Sequence, residues 1–418
     1  MGTAANDPGG VVVIGAGIVG LASALELAGR GREVIVLDRG PIDGGCAVGS
    51  AGHLVPSHVV PLAAPGAVAT ALSGLIRRQG AVSVRWSTSP GLWRWIAGFV
   101  RACRAGSVET AAPALRDLAR LSDAIWDDWL DASGQPVLTD GLLDVYAGSR
   151  ALERARRHAE ELRRWDVEVD IVDGERAITM EPALLPPVAG GVLLRNDRSL
   201  HPGAALTDLI ERAGRAGITL VPGAEVVGLD TARERVTGVR TTVGDVVASD
   251  LVLAAGAWSG RLARLLGERV PMLAGRGLSL TVARPEIGPR RALLLGEDHV
   301  AVGPMGDELR LSAWFQLNDY DSVVDVDRIS AIEALARTRL RLDRSLVVRR
   351  RWVGMRPVTP DGVPIIGRPA RWRNVVIAAG HSMTGLTLGP GTGRLVAQLV
   401  CGEAPDIAID RFSPRRFS

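Results

Sequence analysis

The most constraining feature of this sequence is a glycine-rich turn, Gly15-x-Gly17-x-x-Gly20, placed between a short β-branched run and a helical stretch. The run Val11–Ile14 precedes the turn, and a second strand, 33–37, closes at Asp38. In this setting the glycines allow a tight turn, close approach of the backbone to a pyrophosphate and close helix–strand packing, while the terminal acid binds ribose hydroxyls. The pattern predicts a βαβ unit that binds a dinucleotide, with contacts from Gly15, Ala16, Gly17, Ile18, Val19, Gly20, Asp38 and Arg39.

A second glycine-rich strand-to-helix junction lies near the C-terminus. The predicted strand 374–379 runs into Gly380-His381, and a Gly-rich segment from 385 to 393 opens the last helix. Such a junction points N–H groups and a helix dipole at an anionic atom. The pyrimidine end of a flavin gathers negative charge on reduction, whereas a nicotinamide needs no such site. The two junctions therefore favour FAD, bound non-covalently, over NAD.

A third signal is the run Gly354-Met355-Arg356-Pro357. An arginine between glycine and proline turns is held rigidly, and its planar fork suits bidentate pairing with a carboxylate. The alternative for Arg356 is a structural ion pair. We expect this guanidinium to bind an anionic ligand.

The apolar strands typical of a Rossmann sheet lie near residues 11, 33, 251 and 375, spread over the whole chain. We therefore predict an α/β fold with an α+β insert: a Rossmann-type FAD-binding domain assembled from discontinuous segments, and a substrate domain built on a mostly antiparallel sheet with helices. The predicted FAD-binding domain comprises 1–90, 186–262 and 348–418, and the substrate-binding domain comprises 91–185 and 263–347.

Composition excludes several other classes of protein. The net charge is only +3, which argues against nucleic acid as the main partner. Cys46, Cys103 and Cys401 form no CxxC pair, so neither a metal site nor a redox dithiol is indicated. Their odd number fits a reducing cytoplasm, and the first ten residues do not have the pattern of a signal peptide. All basic residues other than histidine are arginine, so no lysine can act in catalysis.

These motifs resemble the D-amino-acid oxidase superfamily, most closely the bacterial D-amino-acid dehydrogenases of the small-subunit type, with relatives acting on D-hydroxyproline and glycine close behind. The resemblance covers nearly the whole chain. It rests on the N-terminal fingerprint and on the segments 50–56, 64–66, 93–100, 254–258, 277–281 and 354–367.

The resemblance implies roles for individual residues. Arg356 matches the arginine that grips the substrate carboxylate, and His53 ends the 50–53 loop that passes the isoalloxazine; we take both as catalytic candidates. Val226 matches a position against the adenosine half. The further positions implied in cofactor binding are Ser50, Ala51, Gly52, Ala255, Gly256, Gly354, Gly380, His381, Met383, Thr384, Gly385, Leu386 and Thr387.

Some residues depart from the family pattern near the expected active site. The dehydrogenases usually have Asn-Ala-Gly-Gln at 50–53, where this chain has Ser-Ala-Gly-His, and often an aromatic residue at Leu278. His53 either contacts flavin or substrate or fills the loop. The aromatic and basic stretch 93–101 is either a membrane-surface helix, which places the protein at the inner face of the membrane, or a buried helix of the insert.

These features predict an enzyme that transfers hydride from Cα of a small amino acid, expected to be a D-amino acid, to flavin N5. The resulting imine hydrolyses to a 2-oxo acid, and electrons pass to a quinone, another redox partner or O2. The alternatives are an enzyme for a cyclic or N-substituted amino acid, a non-catalytic flavin-binding subunit and, third, an NAD-dependent dehydrogenase. The sequence does not indicate an oligomeric state.

Overall fold

The structure is a computed structural model that describes residues 10–66, 82–104 and 106–417. Its strands are β1 (Val11–Ile14), β2 (Val34–Leu37), β3 (His53–Leu54), β4 (Val82–Val84), β5 (Val137–Leu138), β6 (Leu142–Tyr146), β7 (Val169–Asp173), β8 (Gly190–Leu194), β9 (Arg198–Leu200), β10 (Thr219–Val221), β11 (Val226–Ala232), β12 (Arg235–Thr241), β13 (Gly244–Val247), β14 (Asp250–Leu253), β15 (Leu273–Ala283), β16 (Leu293–Leu295), β17 (Val300–Met305), β18 (Glu308–Leu317), β19 (Val348–Val358), β20 (Ile365–Gly367) and β21 (Val375–Ala379). Its α-helices are α1 (Ile18–Ala28), α2 (Pro90–Ala102), α3 (Ser107–Ser133), α4 (Ser149–Arg163), α5 (Gly174–Met180), α6 (Pro202–Arg215), α7 (Ser259–Leu262), α8 (Val326–Arg339) and α9 (Gly385–Cys401).

A six-stranded sheet forms around the N-terminal βαβ unit in the order β10-β2-β1-β14-β21-β20. All pairs are parallel except β20–β21. β1 is buried along its length, as expected of a parallel strand covered on both faces. The four strands predicted near residues 11, 33, 251 and 375 thus lie side by side in one sheet, and β10 and β20 extend it at its two edges.

The second large sheet runs β19-β15-β18-β17-β16-β6-β8-β7, with β4 also paired to β18. It is antiparallel except at β6–β16 and β4–β18, in agreement with the predicted mostly antiparallel sheet. β8 and β19 are hydrogen-bonded into this sheet, although both come from stretches assigned to the FAD-binding domain. The predicted domain limits themselves stay a prediction.

Helices α1 and α9 pack against each other at the centre of the fold. A Cβ on Gly389 would collide with the side chain of Ile18, and a Cβ on Gly393 would lie 2.5 Å from the backbone carbon of Ala22. Both contacts advance by four residues along both helices, so the helices run parallel and their N-termini lie side by side. The positive ends of two helix dipoles therefore face the same region.

Helix α2, which contains most of the aromatic and basic stretch, is largely exposed. Only Leu92 and Trp95 are buried in it, and the Trp95 indole N–H donates to the Val358 carbonyl at 3.0 Å. Helix α2 thus packs on the antiparallel sheet through Leu92 and Trp95 and exposes its other face, so both interpretations of this stretch stay predictions. Across the described ranges, no helix combines the length and apolar character that crossing a bilayer requires.

Candidate functional site

The first glycine-rich turn has the geometry that its spacing predicts. Gly15 has φ +109°, and a Cβ there would lie 2.5 Å from the Ala254 carbonyl oxygen of the segment after β14. A Cβ on Gly20 would collide with the carbonyl of Gly15, whereas a Cβ on Gly17 would meet nothing within 4 Å. Gly15 and Gly20 thus close the turn, and Gly17 borders open space at the N-terminus of α1.

Asp38 ends β2 beside this turn. Its Oδ2 accepts a hydrogen bond from the Ala16 N–H at 2.8 Å, and its Oδ1 accepts one from the Gly40 N–H at 2.9 Å. Each carboxylate oxygen keeps acceptor capacity for a ligand hydroxyl. The Ala224 N–H donates to the Asp38 carbonyl at 2.7 Å. This hydrogen bond places the segment that leads to Val226 next to Asp38.

A stacked pair of side chains lies next to Asp38. The Arg39 guanidinium is 3.7 Å from the centroid of a Trp258 ring, a distance typical of a cation–π contact. Trp258 follows Ala255-Gly256, where Gly256 has φ +53° and its Cα faces open space. These two residues border the first glycine turn, so predicted cofactor contacts from distant parts of the sequence come together here.

The second junction is fixed by the backbone of His381. Gly380 has φ +83°, and a Cβ there would lie 2.5 Å from Thr359. The His381 carbonyl accepts hydrogen bonds from both the N–H and the hydroxyl of Thr384, each at 2.9 Å. The His381 Nε2 lies 2.9 Å from the Thr392 hydroxyl, and burial lowers the pKa of His381 to about 3, so the ring is neutral. His381 thus holds the turn in place.

Helix α9 starts at Gly385 without a side-chain cap and without an acid in its first turn. Its first N–H groups have no acceptor within the helix. Neighbouring segments fix this end: the Val55 N–H donates to the Thr387 hydroxyl at 3.0 Å, and the Trp126 indole donates to the Leu386 carbonyl at 3.0 Å. Met383, just before the helix, is exposed. This end of α9 can therefore accept an anionic group.

The loop through Ser50, Ala51 and Gly52 is pressed between two strands. A Cβ on Gly52, which has φ +77°, would collide with the Leu200 carbonyl, and a Cβ on Gly303 would collide with the Ala51 carbonyl. These close contacts leave the loop little freedom.

Sequence reasoning missed Arg310, which fastens this loop to the antiparallel sheet. Its guanidinium donates to the Val48 carbonyl, to the Ser50 carbonyl at 2.9 Å and, through Nε, to the Thr281 hydroxyl at 2.9 Å. The side chain is only 3% exposed, and burial lowers the pKa of Arg310 to about 10. No motif surrounds this residue in β18, so only the three-dimensional pairing of distant segments discloses it.

His53 lies in β3 with its Nε2 3.1 Å from the Val302 carbonyl oxygen. Because a carbonyl only accepts, Nε2 carries the proton and donates. Burial lowers the pKa of His53 to about 4, partly offset by this hydrogen bond, so the imidazole is neutral near pH 7. A neutral ring with a free Nδ1 can accept a hydrogen bond from a ligand but does not supply a positive charge.

Arg356 lies in β19, and its hydrogen-bond acceptor among the described residues is the Trp314 carbonyl at 2.9 Å. No described carboxylate pairs with it, so the alternative of a structural ion pair finds no support. Burial lowers the pKa of Arg356, and the nearby Cys46 thiol opposes this effect. A guanidinium that is partly desolvated and lacks a counter-ion favours an anionic ligand.

The space for this guanidinium exists because position 277 is a glycine. A Cβ there would collide with the Nη1 of Arg356. On the same strand as Arg356, the Trp352 ring covers Gly354 and Gly49, since a Cβ on either glycine would collide with that ring. Arg356, Gly354 and the segment after Gly45 thus border one site.

The residues present fit a flavin dinucleotide. Open space at Gly17 and two parallel, uncapped helix ends suit a pyrophosphate and an electron-rich ring edge. A guanidinium that pairs with no carboxylate of the described residues and a neutral imidazole lie on segments that border the same region. Among the described residues, no group of histidine, cysteine, aspartate or glutamate is arranged to hold a metal ion.

Comparison with known proteins agrees with this geometry. A family profile described as FAD dependent oxidoreductase matches residues 10–399. A D-amino acid dehydrogenase from Rhizorhabdus wittichii is 30% identical over 96% of this chain and 100% of its own length. A D-amino-acid oxidase from Bradyrhizobium diazoefficiens is 29% identical over 97% and 98%. The solved glycine oxidase from Geobacillus kaustophilus superposes with a TM-score of 0.78 over 96% of this chain and 97% of its own, at 22% identity.

Proposed function

Because this chain belongs to the DAO family of FAD-dependent oxidoreductases, we propose that it oxidises the C–N bond of a small amino acid of D configuration. The imine product hydrolyses to a 2-oxo acid. The observation that carries this proposal is the Arg356 guanidinium, which pairs with no described carboxylate, donates to the Trp314 carbonyl and occupies the space left by Gly277 beside the segments expected to bind the flavin. Curated relatives of nearly the same length, named D-amino acid dehydrogenase, support the substrate class and its configuration.

Arg356 binds the substrate carboxylate in this proposal and so fixes the direction of the Cα–H bond. Positioning of this kind contributes several kcal/mol to lowering a barrier. The substrate amine must be neutral, so that its lone pair assists departure of hydride. When bound, FAD supplies the two-electron acceptor for that hydride at N5.

The remaining site residues fix the loops of the site and orient the substrate. Arg310 and His381 keep the 48–50 loop and the 380–385 turn in place, which preserves the shape of the site. His53 offers a neutral Nδ1 near the substrate region, so it orients a donor and does not carry charge. No lysine exists in the chain to activate oxygen, which favours an acceptor other than O2.

The proposal is tested by anaerobic bleaching of the purified yellow protein with a panel of amino acids. We expect small D-amino acids to bleach the flavin absorbance and to leave the 2-oxo acid as product. The panel includes the L-enantiomers, glycine, sarcosine and D-hydroxyproline, so that a cyclic or N-substituted substrate is recognised by its faster bleaching. A flavin that no member of the panel reduces would identify a non-catalytic subunit.

We further propose a cytoplasmic location with peripheral contact at the inner face of the membrane. Trp86 and Trp93 are 55% and 53% exposed, and their ring centroids are 5.9 Å apart. Arg94, Arg101 and Arg104 are exposed and pair with no described carboxylate. Exposed tryptophans beside arginines are typical of surfaces that lie in the interface of an anionic membrane.

The net positive charge of this region also supports contact of the same surface with a membrane. Between Asp43 and Glu109 the sequence contains no acidic residue, although it contains Arg85 and the three arginines named above. A juxtamembrane basic residue contributes ~1 kcal/mol near an anionic lipid surface. The region is therefore electrostatically suited to phospholipid headgroups.

Vesicle sedimentation tests the membrane contact. We expect the protein to bind phosphatidylglycerol-containing vesicles, and R94Q/R101Q to weaken binding on the order of 30-fold because two such contributions are lost. The matched control is R150Q/R156Q, which removes two exposed arginines from α4. Equal loss in both double variants, or equal binding to pure phosphatidylcholine vesicles, would remove the case for this surface.

A further inference from the structure

A β-bulge interrupts strand β18 next to Arg356. The register between β15 and β18 shifts at this point, so that two residues of β18, Trp314 and Phe315, stand opposite the single residue Gly277. Trp314 has φ +73°, in the left-handed region that bulky side chains rarely adopt. Bulges are frequent beside active sites, where they change the direction of the groups on the longer strand. This bulge therefore calls for an explanation in terms of what its residues contact.

The carbonyl group of the bulge contacts the guanidinium of Arg356. The Trp314 oxygen accepts a hydrogen bond from Nη1 of Arg356 at 2.9 Å. The same nitrogen occupies the space that a Cβ on Gly277 would take. The guanidinium thus lies between Gly277 and the carbonyl of the residue opposite it, and the shift in register brings these two features together.

An aromatic ring forms a further boundary of this space. The Phe315 ring centroid is 5.9 Å from the Cζ of Arg356, and a Cβ on Gly275 would lie 2.7 Å from the same ring. Gly275 pairs with Arg356 across β15 and β19, so the ring lies on the face of the sheet that carries the guanidinium. Among the described residues, the Nε–Nη2 edge has no hydrogen-bond acceptor, and this edge can receive a carboxylate side-on.

The indole of Trp314 is fastened on the opposite face of the sheet. Its ring centroid is 5.2 Å from the Cζ of Arg328 in α8, and Arg328 also donates to the Gln316 side chain at 2.9 Å. Leu278 packs in the same apolar cluster as α8, whereas its neighbour Gly277 faces Arg356. The bulge is therefore held from one face of the sheet and acts on the other.

A carbonyl group suits this position better than a carboxylate. A carboxylate beside Arg356 would neutralise the guanidinium and compete with an anionic ligand. A carbonyl oxygen carries only a partial charge, so it fixes the orientation of the side chain and leaves its positive charge available. The contact thus orders a long, flexible side chain before the ligand arrives, which lowers the entropic cost of binding.

We propose that Trp314 is a positioning residue: its left-handed conformation directs the carbonyl at Arg356 and so fixes the edge of the guanidinium that receives the substrate carboxylate. The inference rests on the proposed function, in which Arg356 binds that carboxylate. It requires the backbone conformation at 314, whereas the indole serves to hold the bulge on α8.

Three substitutions separate the backbone conformation from the loss of the indole. W314N, W314A and W314V all remove the ring, but asparagine tolerates the left-handed region, alanine tolerates it less, and β-branched valine tolerates it least. We expect KM for the amino acid to rise about tenfold in W314V, which corresponds to one hydrogen bond to a charged group. The rise should be smaller in W314A and smallest in W314N, and kcat should change less than KM in all three.

Thermal unfolding distinguishes positioning from general destabilisation. Valine favours a regular strand, so W314V should melt at a temperature no lower than that of W314N, although its KM is higher. A purely structural role would instead make KM rise in the order in which stability falls. The comparison of W314A with W314N gives the same test if W314V yields too little protein.

Two control variants accompany the series. Arg233→Val places the same β-branched residue at another left-handed position, the exposed turn between β11 and β12, and should leave KM unchanged. The double variant R356L/W314V should have the KM of R356L alone, because the carbonyl acts through the guanidinium and the two effects are not additive.

Calorimetric titration of the holoenzyme with propionate measures binding without turnover. Propionate keeps the carboxylate and carbon chain of alanine but has no amine to oxidise. We expect its dissociation constant to rise in the same order, from W314N to W314A to W314V, and to rise most in R356L.

Two results would overturn the positioning role. One is equal KM and equal propionate affinity in W314V and W314N while R356L raises both constants. The other is a further rise of KM in R356L/W314V as large as that in W314V alone. If no amino acid is oxidised but propionate affinity still depends on Arg356 and follows the series at 314, the proposed function falls and the positioning role stands.

Discussion

Replacing Arg356 with leucine should raise KM for the amino-acid substrate on the order of 100-fold, with a smaller change in kcat. A pair of charge-assisted hydrogen bonds to a carboxylate contributes ~3 kcal/mol, and each 1.4 kcal/mol corresponds to a factor of ten. Steady-state kinetics with a dye acceptor measures the change. Arg351→Leu, an exposed arginine on the same strand, is the control and should leave KM unchanged.

Gly277→Ala gives an independent route to the same result. A methyl group at 277 would occupy the place of the Arg356 guanidinium, whose flexible side chain then moves away. We expect the fold and the flavin spectrum to be retained while KM rises. An R356L or G277A enzyme with the KM of the wild type would show that the carboxylate is bound elsewhere.

Gly393→Ala should lower the free energy of unfolding by ~1–3 kcal/mol and weaken FAD binding. The added methyl group would lie 2.5 Å from the Ala22 backbone and would push α9 away from α1. Both helix N-termini would then lose their common direction toward the cofactor. Thermal unfolding and titration of the apoprotein with FAD measure the two effects.

Gly214→Ala is the matched control for this change. Gly214 lies in α6, and a Cβ there meets nothing within 4 Å. Because alanine is the better helix former by ~1 kcal/mol, this variant should be as stable as the wild type or more stable. Equal stability and equal FAD affinity in G393A and G214A would contradict the role assigned to the close helix contact.

Local patterns were sufficient to predict the parts of the fold in which neighbouring residues determine the structure. This holds for the Gly15–Gly20 turn, for the strand ending at Asp38 and for the strand 375–379. In each of them a few consecutive residues show both the repeating pattern of the element and the residue that ends it. The parallel sheet follows from them because buried parallel strands are short, continuous apolar runs.

Features that depend on contacts between distant segments were not predictable in this way. Arg310 is an ordinary arginine within a strand, and its role depends on β18 lying beside the 48–50 loop. The edge strand β20 is three residues long and carries no pattern of its own. The bulge at Trp314 has the same origin, since it exists only through the pairing of β18 with β15.

The wide spacing of the strands in the parallel sheet has a consequence for biogenesis. Val11 of β1 pairs with Asp250 of β14, and Leu251 of β14 pairs with Val375 of β21. Strand β1 is the first to be synthesised, but its partner β14 follows only after more than half of the protein has been made. Non-local pairing of this kind slows folding and leaves strand edges exposed in partly made chains. We therefore expect the cofactor to be bound late in synthesis, and we expect premature termination before α9 to yield an aggregation-prone polypeptide instead of a smaller flavoprotein.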